Sequence, residues 1–171
     1  MDRPRRLLLA FAGLAGGGAL LRELFQGRGL QAATEKRTFE VVRTDAQWRE
    51  ALTPAQYRIL RQAGTEYPHS SPLDREKRPG VFACAGCALS LFLSDTKFDS
   101  GTGWPSFWKP LDEAVAEESD VTLGMKRVEV LCRRCGGHLG HVFEDGPPPT
   151  GLRYCMNGLA LNFIPRTAES S

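Results

Sequence analysis

No charge of one sign dominates this 171-residue chain: 22 Lys and Arg stand against 20 Asp and Glu, a formal net charge of +2. Outside the N-terminus the basic residues are scattered, so the dense basic face that a phosphate backbone requires is missing and a nucleic-acid partner is not expected. There is no internal repeat and no extended low-complexity run. The apolar run Leu7 to Leu21 falls short of the ~20 residues that span a bilayer comfortably, which disfavours a permanent transmembrane helix. Cysteine and histidine are scarce, at five and three residues, so each can be considered by itself.

The rest of the composition, 42% hydrophobic and 25% charged, is that of a globular protein with enough apolar matter for one core. Residues 1–33 stand apart. A basic start with the pair Arg5-Arg6, an apolar middle and small residues near Ala33 form the layout of an export signal, ahead of a domain over residues 34–171. The arginine pair favours the twin-arginine route and a periplasmic or otherwise exported product. A mitochondrial presequence is the main alternative and an uncleaved membrane anchor the third. After processing no stable membrane span is expected.

Alternation over Lys36 to Val42 predicts a short strand. Two helices follow. One runs from Ala46 to Leu52 behind Thr44-Asp45, and the other starts behind the N-cap Thr53 with Pro54 at its first position, Gln56 completing a capping box and Gly64 as its stop. Glu66 to Arg78, rich in Pro, Ser and charge, reads as a loop. Beyond Gly80 the runs Val81 to Ala83, Leu89 to Leu93, Arg127 to Leu131, His141 to Phe143 and Leu159 to Ile164 are short and β-prone, with turn residues between them. The expected fold class is mainly β (α+β), an antiparallel β body with a small N-terminal helical annex. The segment Gly101 to Trp108 is placed in a loop, where its adjacent rings would need something to pack on or bind.

Four cysteines form two knuckles of equal spacing, Cys84-Ala85-Gly86-Cys87 and Cys132-Arg133-Arg134-Cys135. Each turns tightly enough to put two thiolates on one ion, and the pair suits a closed tetrahedral Zn²⁺ site, structural and not catalytic. Two disulfides, or one knuckle acting as a redox pair, are the alternatives. Zinc bound before export would keep the knuckles from oxidising in a disulfide-forming compartment, the situation that twin-arginine transport of a folded chain provides.

Cys155 is the remaining thiol. Alone it reads as a small buried hydrophobe, but Arg153 can lower a thiol pKa and Asn157, two residues on along a strand, projects to the same face. His138 and His141 supply groups that move protons near neutral pH. His69, without such company, reads as a surface residue.

At Gly103-Trp104-Pro105-Ser106-Phe107, at His138 to Phe143 with Asp145-Gly146-Pro147, and at Arg153-Tyr154-Cys155-Met156-Asn157 the chain resembles the B-type methionine sulfoxide reductases. The likeness runs from about Thr44 to Phe163, with the knuckles where zinc-binding members have theirs. The resemblance implies two antiparallel sheets stapled by zinc, and reduction of the R epimer of methionine sulfoxide in oxidised proteins. It makes Cys155 the nucleophile and His141 the acid, with His138, Asp145, Arg153 and Asn157 tuning the site. Trp104 would cradle the substrate methyl group, with Phe107 and Phe143 completing the pocket. Where many members carry a resolving cysteine this chain has Thr102, so a one-cysteine cycle is expected, recycled by a thioredoxin-like or other thiol reductant. A monomer is expected.

Overall fold

The computed structural model describes residues 38–121 and 127–166; the expected export signal over residues 1–33 lies outside them. Two helices lead. α1 (Asp45–Ala51) and α2 (Pro54–Gln62) each begin at a threonine whose side chain accepts from the backbone N–H three residues on, while Gln47 or Gln56 reaches back to the cap. These capping boxes satisfy N–H groups that would otherwise be orphaned in helices of barely two turns. α2 ends on Ala63, held in the left-handed region at φ 49°, and not on the expected Gly64. Trp48, Tyr57, Ile59 and Leu60 are buried, so the annex is anchored by its apolar stripe. Among the described residues no helix is long and apolar enough to cross a membrane.

The body is two antiparallel sheets. β1 (Gly80–Cys84) pairs with β2 (Ser90–Leu93) and β9 (Leu161–Pro165) in a three-stranded sheet. The larger sheet has the order β3 (Lys97–Phe98), β4 (Ser106–Phe107), β8 (Arg153–Met156), β7 (His138–Phe143), β6 (Arg127–Cys132), β5 (Val115–Asp120). The strand expected before α1 does not form. Among the described residues 38–42, Val41 donates its N–H to the Arg134 carbonyl at 2.9 Å and Glu40 lies 3.7 Å from the Arg134 guanidinium, while Val42 is exposed. Residues 101–108 were expected to be loop throughout, yet Ser106 and Phe107 pair with β3 and β8.

Aromatic rings join the sheets. Phe107 stacks on Phe92 at 4.3 Å between centroids and meets Phe82 edge-on at 4.9 Å, and Phe82 also packs on Phe163 at 5.0 Å. Such pairs add to the area that large rings bury. Phe107 is therefore a core residue, fully buried, and is not among the residues that line the cavity beside Cys155, where the resemblance had placed it. The cause is the period of two in a strand: Ser106 opposes Cys155, so Phe107 points through the opposite face, where it opposes Tyr154. Phe107→Ala is accordingly expected to cost about 3–5 kcal/mol, read as a fall in the urea unfolding midpoint, with Phe107→Leu much milder.

Candidate active site and metal centre

The two knuckles close the ends of strands from different sheets. Cys84 ends β1 and Cys132 ends β6. In both, the residue four places on (Ala88, Gly136) returns its N–H to the cysteine carbonyl at 2.8 Å, with φ of 59° and 66°. The turns thus share one backbone shape, and they bring the four Sγ atoms within 4.8 Å of one another. Cys84 and Cys135 lie 3.8 Å apart, Cys87 and Cys132 3.5 Å. A tetrahedron of Zn–S bonds of ~2.3 Å has edges of ~3.8 Å, so the sulfurs fit that ion. Their protonation fits as well. As bare thiols they split, Cys84 and Cys135 pushed far up and Cys87 and Cys132 drawn down, each mainly through hydrogen bonds with the other sulfurs. A divalent cation would let all four ionise together.

The candidate catalytic residues form a row across the larger sheet. Cys155 on β8 opposes Ser106 on one side and His141 on the other, and His141 in turn opposes Glu129 on β6. Directly opposed side chains share a face and lie within contact range. β7 and β8 approach so closely that a Cβ on Gly140 would sit 2.1 Å from the Cys155 carbonyl oxygen, a distance only glycine permits.

His138 reaches the same face through a bulge. Val130 opposes Gly140 but Leu131 opposes His138, so Leu139 is an extra residue in β7. Two histidines three residues apart, which a regular strand would set on opposite faces, come to lie with ring centroids 5.4 Å apart. Each has its own carboxylate. His138 Nδ1 lies 2.6 Å from Glu129 Oε1, and His141 Nε2 lies 2.9 Å from Asp120 Oδ2, which also accepts from Arg127 Nη2 at 2.6 Å. Such a contact fixes the ring and its tautomer; for His141 it leaves Nδ1 as the nitrogen that takes up or releases the second proton. Burial pulls the His141 pKa down against the lifting hydrogen bond to Asp120.

Cys155 lines a cavity of about 170 Å³ together with Thr65, Trp104, Arg127, Gly140, His141, Phe143 and Asn157. Burial pushes its thiol up, opposed first by the Arg153 guanidinium. Arg153 lies over the Phe143 ring at 4.5 Å and donates from Nε and Nη2 to the two oxygens of Asp145, both at 2.8 Å. The pair holds the Asp145 carboxyl below its usual range. Asp145 is thus an orienting partner on an exposed edge, and it does not line the cavity. Asn157, just past the end of β8, is a brace as well as a wall: its side chain accepts from Glu66 N–H at 3.0 Å and donates to the Leu139 carbonyl at 3.1 Å.

Asp120, Arg127, Glu129 and Glu66 were not singled out in the sequence. The alternation Arg127-Val128-Glu129 carried a signal, since it puts two charges on one face of β6. Glu66 carried none. Its buried carboxylate accepts from the N–H groups of Gly158 and Leu159 while its carbonyl takes the Trp104 Nε1 proton at 3.2 Å, so it ties the Trp104 ring to the turn behind Cys155. A larger, open groove of about 880 Å³ lies along His69, Asp74, Lys97 and Asp99 and has no cysteine in its lining. His69 is exposed there, 3.4 Å from Asp74.

The SelR domain family matches residues 52–165. The chain belongs to this family, the B-type methionine sulfoxide reductases. It is 57% identical over 127 residues to the peptide methionine sulfoxide reductase MsrB of Agrobacterium fabrum, covering 74% of this chain and 94% of that protein. It is 53% identical over 136 residues to that of Bradyrhizobium diazoefficiens, covering 79% and 98%. The MsrB of Leptospira interrogans is 52% identical over 126 residues, covering 73% and 96%.

A structural zinc contributes on the order of 10 kcal/mol, comparable to the whole stability of a domain. Cys87→Ser is expected to emerge with little zinc by elemental analysis and with its thermal transition lost, whereas Cys155→Ser keeps its metal.

Proposed function

We propose that this protein reduces the R epimer of methionine sulfoxide in oxidised proteins to methionine, as a repair enzyme. The observation that carries the reading is the opposition of Cys155 and His141 across β8 and β7, at a pocket walled by Trp104 and Phe143. At about 170 Å³ the pocket is well below the ~300–1,000 Å³ of sites that enclose whole ligands. That size suits one methionine side chain presented by a polypeptide; free methionine sulfoxide is a secondary substrate.

In this mechanism the Cys155 thiolate attacks the sulfoxide sulfur while the proton on His141 passes to the sulfoxide oxygen, which cannot leave unprotonated. The S–O bond breaks, the hydroxyl passes to Cys155 Sγ, and the transient bond between the two sulfurs breaks with its electron pair going to the methionine sulfur. Methionine sulfur is reduced by two electrons, Cys155 is oxidised by two, and the products are methionine and a sulfenic acid. An external thiol then attacks Cys155, releasing water and forming a mixed disulfide, and a second thiol restores Cys155. Thr102 supplies no sulfur for an internal disulfide, and Cys84, Cys87, Cys132 and Cys135 are committed to the metal centre. Arg153 stabilises the thiolate, and Asp120 supports the charged His141. The reductant is thioredoxin-like or another thiol carrier. Export through residues 1–33 would set this repair outside the cytosol, which N-terminal sequencing of the mature protein tests.

Separate R and S epimers of a methionine sulfoxide peptide, with dithiothreitol as reductant, test the activity. Methionine should form from the R epimer alone, and Cys155→Ser should abolish it; no product from the R epimer sinks the reading. Without reductant, the substrate-treated enzyme should release about one methionine per chain and trap dimedone on Cys155. A disulfide between Cys155 and a knuckle cysteine would instead overturn the one-cysteine cycle.

The reactive pair shares one proton, so both the doubly protonated and the doubly deprotonated forms are inactive. With His141 displaced below 6.5 and Cys155 above 9.0, kcat/KM should be flat between these values and fall on either side. Asp120→Asn removes the negative charge whose hydrogen bond raises His141. The acid limb should then move to lower pH and the plateau should fall, by roughly 10- to 100-fold if proton delivery is impaired.

A further inference from the structure

Thr102 stands beside the nucleophile as one end of a chain of hydroxyl groups. Its Oγ1 lies 4.0 Å from Cys155 Sγ and 2.8 Å from Ser100 Oγ. Ser100 Oγ lies 2.7 Å from Ser106 Oγ, and Ser106, fully buried, donates to the Trp104 carbonyl at 3.0 Å.

The carbonyl sets the direction of every link. A carbonyl oxygen only accepts, so the Ser106 proton is committed to it. Ser106 therefore accepts from Ser100, and Ser100, its proton spent, accepts from Thr102. Ser100 also accepts the Thr102 N–H at 3.4 Å, which completes the two acceptances and one donation a hydroxyl oxygen can make. In this ordering Thr102 has no proton left for sulfur and turns a lone pair toward it, the reverse of the donated hydrogen bond by which a neighbouring hydroxyl would lower the Cys155 pKa. The links Cys155–Thr102, Thr102–Ser100, Ser100–Ser106 and Ser106–Trp104 number four, and the protons available are three hydroxyl protons plus the thiol proton. All links close only while Cys155 keeps its hydrogen.

We propose that the Thr102–Ser100–Ser106 chain holds Cys155 as its thiol in the resting protein, so that Thr102 is a positioning residue that restrains the nucleophile between turnovers. A hydroxyl next to a thiolate ordinarily donates to it and stabilises the charge; here that proton is already engaged on Ser100. Ionising the sulfur leaves three protons for four links, and one partly buried hydrogen bond is lost. The consequence for turnover rests on the reductase reading above, but the restraint itself does not.

Alkylation of Cys155 by iodoacetamide, followed by mass spectrometry of the peptide that contains it and needing no sulfoxide, tests the polarity. Around the thiol stand Arg153 and Asp145, His138 and His141 on β7, Arg127 and Glu129 on β6, Asp120 on β5 and Glu66 in the 65–71 loop. All of these are retained in the variants. Thr102→Val should speed alkylation at pH 7 roughly two- to tenfold, the worth of one hydrogen bond, and shift its pH profile to lower pH. Thr102→Ser should behave as wild type. Ser100→Ala frees the Thr102 proton to turn to sulfur and should also accelerate the reaction, so it carries the test if Thr102→Val folds poorly. A slower or unchanged rate in Thr102→Val, or in Ser100→Ala, overturns the proposal. Turnover of the R epimer by the wild type, measured in parallel, separates that result from failure of the reductase reading.

Discussion

The pairing of β7 with β8 is the constraint on which the candidate site depends. Antiparallel register puts one residue of each strand directly opposite one of the other, and the period of two then assigns every side chain to a face. With His141 opposite Cys155, Phe143 and Arg153 share the reactive face as the next opposed pair, while Tyr154 and Met156 are sent into the core. Gly140 lets the strands close fully at this point. A slip of one residue would reverse all of these assignments together.

That register is held from outside by two unlike fastenings. Phe82, Phe92 and Phe107 join the sheets through ring packing, and the sulfur cluster joins the end of β1 to the end of β6. The aromatic contact is large and non-directional, whereas the cluster fixes particular backbone atoms of two hairpins. Arg61 adds to the second by donating to the Cys135 carbonyl at 3.1 Å while its guanidinium covers Trp48 at 4.7 Å. The helical annex is in this way tied to the knuckle. Near the pocket, Glu66 plays a comparable part on a smaller scale, joining Trp104, Asn157 and the 158–160 turn through one residue.

What could be read in the sequence was local. The capping boxes at Thr44 and Thr53, the knuckles, and the runs that became β1, β2, β6, β7 and β9 each carry their signal within a few residues. The two-residue strands β3 and β4 carry too few residues to show alternation, and their pairing with β8 depends on contacts distant in sequence. Thr38 to Val42 alternates as a strand should but finds no partner edge, so the pattern alone is insufficient. Phe107 was misplaced because a motif read as a unit hides the change of face at each residue. Asp120 and Glu129 were missed for the opposite reason: isolated carboxylates on strands look like solvent-facing residues until the sheet sets histidines beside them.

The extra residue at Leu139 has a further meaning. It works as a phase shift in the strand, converting an odd spacing in sequence into an even one in space. The two histidines and their two carboxylates can occupy one face because of it, while Leu139 itself is fully buried on the other side. The irregularity between His138 and His141, and not their spacing in the chain, is therefore what sets the two rings side by side. A chain of the same length that ran through this point as a regular strand could keep every one of these side chains and still deliver His138 to the core.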